Sequence, residues 1–213
     1  GIHVNEVDSL FIDNCSFLSD SSDASGTLDL GAGKFYSLKG LIMENNYAAD
    51  AAGAINLWGN DKVEIFNSTF ESNKSINGGA INSWNTDTLI INECNFIGNI
   101  ATSESAGAIS INGDENEVVY SEIKNTSFLN NSCSEVGGAI WIGSSIVQIG
   151  NVDFIGNKAG GGGAISGHQL EEISIYNSIF QENTANIHEG GAMLINGDGN
   201  DVVYIDSTTF EAN

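Results

Sequence analysis

Apolar and polar residues alternate along this chain in short runs, as in "AINLW" (54–58) and "VEIFN" (63–67). Alternation with period two sends successive side chains to opposite faces and predicts half-buried β-strands. No stretch carries the 3.6-residue spacing of an amphipathic helix. Between the runs stand Gly, Asn, Asp and Ser. With 26 Gly and no Pro, the turns must rest on residues that tolerate a left-handed backbone.

The runs repeat in register. An aromatic or Met column falls at Phe17, Met43, Phe70, Phe96, Phe128, Phe154, Phe180 and Phe210. Three residues later stand Asp20, Asn46, Asn73, Asn99, Asn131, Asn157, Asn183 and Asn213. Five residues before it the chain is always aliphatic, from Ile12 and Leu38 through Ile65, Ile91, Ile123, Ile149 and Ile175 to Ile205. A Gly recurs at 26, 53, 79, 107, 138, 163 and 191, followed two residues later by Leu, Ile or Met. A propeller blade needs about 40 residues, and leucine-rich or ankyrin repeats need helices or other spacings.

Units of about 26 residues, each with at least two strands, fit one coil of a parallel β-helix. The expected fold is all-β: a single-stranded right-handed parallel β-helix solenoid of roughly eight coils. Residues 1–213 form one solenoid segment, read as part of a longer repeat protein.

In such a stack, equivalent residues lie about 4.8 Å apart in adjacent coils. The Ile and Phe columns become apolar stacks. Asn46, Asn73, Asn99, Asn131, Asn157 and Asn183 become a structural ladder, each amide both donating and accepting between coils. The Gly column either takes positive φ or admits close backbone approach. Long insertions, Asn112–Val119 and Asn196–Val203, leave from one corner.

Charge narrows the function classes. Twenty-eight acidic residues face six Lys and no Arg, for a formal charge of -22. Nucleic acid and anionic membranes would be repelled. No run approaches the roughly 18 apolar residues of a transmembrane helix, so no membrane insertion by this segment is expected.

The paired motifs carry a resemblance. "GGAI" stands at Gly78–Ile81, Gly137–Ile140 and Gly162–Ile165, "GGAM" at Gly190–Met193, and "AGAI" at Ala52–Ile55 and Ala106–Ile109. "FxxN" begins at Phe70, Phe96, Phe128, Phe154, Phe180 and Phe210. Together they resemble the repeats of chlamydial polymorphic outer membrane proteins (Pmp). Similar repeats occur in adhesin-like parallel β-helix surface proteins of methanogenic archaea and some protists. The resemblance covers nearly the whole chain. It implies an extracellular, cell-surface adhesin or stalk segment. The partner would be a glycan or protein on a host or neighbouring cell.

Candidate chemistry lies in the non-repeating positions. Catalysis is not expected. The chain lacks the Arg that clamps acidic polysaccharides, and His3, His168 and His188 share no column. Asp114, Glu115, Asp198 and Asp201 in the inserted loops, with Asp61 and Asp87 at the same corner, are candidate calcium ligands. Solvated turns are the favoured reading there, because neither loop has a full calcium-loop spacing. No cofactor is otherwise expected.

Trp58 and Trp84 stand five residues after the Gly in adjacent coils, and Trp141 shares their outward parity. Such a strip suits stacking on a sugar or anchoring a partner; mutual packing at a corner is the alternative. Cys15 and Cys94 share a column three coils apart and Cys133 stands in a turn, so three free thiols are expected. Sequons occur at Asn14, Asn67, Asn73, Asn125 and Asn130. Most of them are expected to coincide with ladder columns, where Asn is required structurally, and only Asn130 is kept as an acceptor.

Three functions remain. They are a surface adhesin or stalk, a structural repeat of a filament, sheath or envelope that associates end to end, and a polysaccharide-active enzyme.

Overall fold

The structure is a computed structural model that describes residues 1–103, 105–114, 118–199 and 201–213. It is a parallel β-solenoid of eight coils with no helix among the described residues. The coil that starts at the fourth GAI-type strand shows the plan. Its strands are Ile81–Trp84, Thr88–Asn92, Asn95–Ile97 and Ile100–Ala101. Each pairs in parallel with its equivalents one coil before and after. The result is three sheets of eight strands and a fourth of seven. The sequence predicts at least two strands per coil and the structure has four. The two extra strands are two or three residues long, too short for alternation to register.

The columns pair as their spacing requires. Ile65 opposes Leu38 on one side and Ile91 on the other. Ile81 opposes Ile55 and Ile109. All of these side chains are fully buried. Phe70, Phe96, Phe128, Phe154, Phe180 and Phe210 form one continuous stack with centroids 4.6–5.0 Å apart. The strand spacing itself sets that distance. Val203, Ile205 and Phe210, in the eighth coil, continue these columns but remain exposed.

Beside the aromatic stack runs the asparagine ladder. Asn131 Nδ2 donates to Phe96 O at 3.0 Å and to Asn157 Oδ1 at 3.0 Å. Its Oδ1 accepts from Asn99 N and Asn99 Nδ2, both at 3.0 Å. Two donors and two acceptors are the full capacity of a primary amide, so every polar atom of this buried side chain is satisfied. The same four bonds recur at Asn73, Asn99, Asn157 and Asn183. Asn46 repeats the donor side toward Phe17 O and Asn73. Asp20, in the first coil, gives its backbone N–H to Asn46 Oδ1.

Four corners close each coil, and single left-handed residues turn them. Between the second and third sheets this residue is Asn14, Gly40, Asn67, Glu93, Asn125, Asn151, Asn177 or Ser207, at φ 48–63°. Between the third and fourth sheets it is Ser19, Asn45, Ser72, Gly98, Asn130, Gly156, Glu182 or Ala212. The sequons at Asn14, Asn67, Asn125 and Asn130 therefore mark exposed corners, where backbone conformation selects Asn. Only Asn73 belongs to the buried ladder.

A non-Asn, non-Gly residue at such a corner is strained by roughly 1 kcal/mol. Glu93 (φ 56°) is exposed and flanked in its column by Asn67 and Asn125. Glu93→Asn is expected to raise stability by about 0.5–1 kcal/mol, read as a higher urea midpoint with unchanged slope.

The two glycines of GGAI do different work. The first supplies a left-handed turn: Gly78, Gly137, Gly162 and Gly190 have φ 56–76°, and Ala106 manages the same turn at φ 57°. The second admits close approach. A Cβ at Gly79 would meet backbone atoms of Ile100, in the fourth-sheet strand of the same coil, and the carbonyl of Gly107 in the next. The second glycine is where the tube closes on itself.

Candidate functional site

Outward side chains of the first sheet come from the second and fourth residue of each strand. In the fourth position the coils read Asn5, Gly31, Trp58, Trp84, Asn112, Gly143, His168 and Asn196. In the second they read His3, Asp29, Asn56, Asn82, Ser110, Trp141, Ser166 and Leu194. No residue type persists along either row. The fold constrains the inward columns and leaves this face to vary.

The three tryptophans meet different fates there. Trp58 is directly opposite Trp84 in register, but its ring turns the other way. It covers the space above Gly31, one coil earlier in the same column. Its indole N–H donates to Asp29 Oδ1 at 3.2 Å, and Asn56 Nδ2 reaches the same oxygen at 2.8 Å. Trp58 fills a gap left by a missing side chain. Tyr176 does the same over Gly150 on the second sheet. The signal was present in the sequence as a Gly one repeat below the aromatic residue.

Trp84 has no such seat. It is 49% exposed, and its indole N–H makes no hydrogen bond among the described residues. Trp141 stands two coils further along and two residues across the strand. Its ring rests against Gly143. With Asn112, these two tryptophans border two adjoining hollows of about 490 and 450 Å³. Together the hollows make one groove across the outward face of coils four to seven. One wall is the corner before the first sheet, with Asp50, Asn77 and Ser105. The opposite wall is the corner after it, with Asp114, Ser144 and Gln169. The floor is polar: Ser110, in register between Asn82 and Trp141, points outward yet is only 4% exposed. Asn77 Oδ1 is buried at the first wall without a hydrogen-bond partner.

The acidic candidates separate. Asp114 lines the groove. Asp198 and Asp201 belong to the corner loop of the eighth coil, three coils away. There the Asp201 carboxylate accepts from the backbone N–H of Asp198 at 2.8 Å and of Gly199 at 3.3 Å. Glu115 lies outside the described residues. Asp61 and Asp87 are one rung apart, beside Gly59 and Asn85 in a surface notch. Among the described residues, no three His, Cys, Asp or Glu side chains come together as a metal-binding group.

All three thiols are unpaired. Cys133 is in a fourth-sheet strand (Ser132–Cys133), in an inward column of small residues with Ala101, where the sequence suggests a turn. Burial raises its pKa, and pushes that of Cys94 up to about 12. The expected result with a disulfide reagent at pH 8 is fast labelling of the part-exposed Cys15 alone. Cys94 and Cys133 should react only after unfolding. Fast labelling of all three would refute their burial.

The repeat has a recognised counterpart. The family model of the Chlamydia polymorphic membrane protein repeat matches residues 125–143 and 151–168. Each matched stretch runs from a left-handed corner Asn through FxxN and GGAI to the end of the first-sheet strand. These two stretches are similar to the Pmp-type repeat. No curated protein and no solved structure matches the chain. In structural terms, the Pmp-type motif encodes the Phe stack, the Asn ladder and the glycine closure. It leaves the outward residues of the first-sheet strand unspecified.

Proposed function

We propose that this segment is a rigid, non-catalytic stalk of an extracellular, adhesin-like surface protein, which presents the first-sheet groove to a partner. The observation that carries this reading is the contrast between the faces. Inward columns repeat coil after coil, whereas Trp84 and Trp141 stand exposed or half-exposed on a face without a repeat. Exposed aromatics in a polar-rimmed hollow are typical anchors for partners. The lack of Arg and the dispersion of the three histidines support a binding role over hydrolysis of an acidic polysaccharide.

Beads coated with the purified chain should adhere to cells bearing the partner, and beads coated with Trp84→Ala should not. Equal adhesion of the two, or none by either across a broad cell panel, would count against the adhesin reading.

A structural repeat is the second reading, and the uniform parallel pairing of each coil with the next favours it. It predicts sedimentation that rises with concentration and is insensitive to Trp84→Ala.

A further inference from the structure

Resting on the adhesin reading, we infer that the Trp84–Trp141 groove binds a neutral oligosaccharide, with one sugar ring stacked on each indole. Three features of the groove select this class.

The first is charge. Among the described residues no Lys lines either hollow, while Asp50 and Asp114 stand at the two walls. A uronate, sulfated glycan or phosphate would enter without a counter-charge, against a formal charge of -22. The second is the mixture of polar groups. Asn82, Asn112 and Gln169 offer both donors and acceptors, as Ser110 and Ser144 do. Sugar hydroxyls also donate and accept, so this lining can satisfy them. A cationic ligand would need acceptors only, and the acidic surface elsewhere would compete for it.

The third is the spacing of the aromatics. Two rungs along the solenoid and two residues across the strand separate the backbones of the two tryptophans by about 12 Å, with Asn112 in the coil between them. That arrangement fits an extended chain of rings lying obliquely across the coils. Among the described residues neither indole N–H has a hydrogen-bond partner, so both are donors at the groove. The shape is open and elongated, which suits a polymer segment entering from the side.

The test is a tryptophan-fluorescence titration of the whole 213-residue chain with cello-, xylo-, manno- and chito-oligosaccharides. Oligogalacturonate and oligolysine serve as the charged comparators. At least one neutral series is expected to bind, with affinity rising from the monosaccharide to the tetrasaccharide. Trp84→Ala should weaken it tenfold or more, with thermal stability unchanged because the ring is exposed. Trp58→Ala should lower thermal stability and leave affinity intact, since that ring is committed to Gly31 and Asp29.

Stronger binding of oligogalacturonate or oligolysine would overturn the assignment, as would equal affinity of wild type and Trp84→Ala. If no oligosaccharide binds while bead adhesion remains Trp84-dependent, the ligand class is wrong and the adhesin reading stands. If a neutral oligosaccharide binds and cells do not adhere, the groove assignment stands and the adhesin reading falls.

Discussion

Asn131→Asp is expected to destabilise the solenoid by on the order of 4 kcal/mol at neutral pH, although it exchanges only an NH2 for an oxygen. The new carboxylate keeps the two bonds that Asn131 Oδ1 accepts from Asn99. It loses both donations and turns a charge toward Phe96 O and Asn157 Oδ1, which become facing acceptors. Burial and those acceptors disfavour the ionised form, so the folded pKa lies above the unfolded one. The sign follows: the folded state binds the proton more tightly. The variant should be most stable below the unfolded carboxylate pKa and should lose stability as pH rises through the folded pKa.

Urea melts from pH 3 to 8, each compared with wild type at the same pH, measure this. A pH-independent loss would show that the ladder is not the cause. The chain carries its own control in Asp20, whose recorded contact to the next coil is made by its backbone N–H. Asp20→Asn should therefore change stability by less than about 0.5 kcal/mol.

Gly138→Ala is expected to cost about 3 kcal/mol and Gly137→Ala about 1 kcal/mol, although the residues are neighbours in one motif. A methyl group on Gly138 meets the carbonyl of Gly163 and, at 2.5 Å, the backbone nitrogen of Lys158. Both are backbone atoms within paired coils and cannot rotate aside. At Gly137 (φ 70°) a methyl group would meet the carbonyl of Ile140 within its own turn, but Ala106 already carries one at the equivalent position of the preceding coil, at φ 57°. Thermal melts of the two variants decide the matter. Equal losses would mean that close approach between coils does not set Gly138 apart.

These two predictions also mark how far the sequence could be read. The Phe stack, the Ile columns and the Asn ladder were legible because each repeats in every coil, and repetition fixes register. The choice between conformation and contact for the glycines was not legible, because the motif spells both alike. The fourth strand escaped notice because two residues cannot show a period. At the outward face, repetition stops and the reading loses precision. Trp58 and Trp84 look equivalent by spacing, yet the ring of Trp58 is drawn down over Gly31 while Trp84 stays exposed. The groove needed coordinates, since Trp84 and Trp141 occupy different columns and become neighbours only when coils four to six are stacked.

The register of the ladder has a bearing on how such a chain changes length. Each coil joins the next through the same backbone pairs and the same amide, whichever coil it is. Adding or excising one whole unit therefore rejoins like with like. The rod grows or shortens by about 4.8 Å per unit, and the groove travels along it without being rebuilt. Length and surface are thus inherited separately: copy number sets one, and a few outward residues of the first sheet set the other.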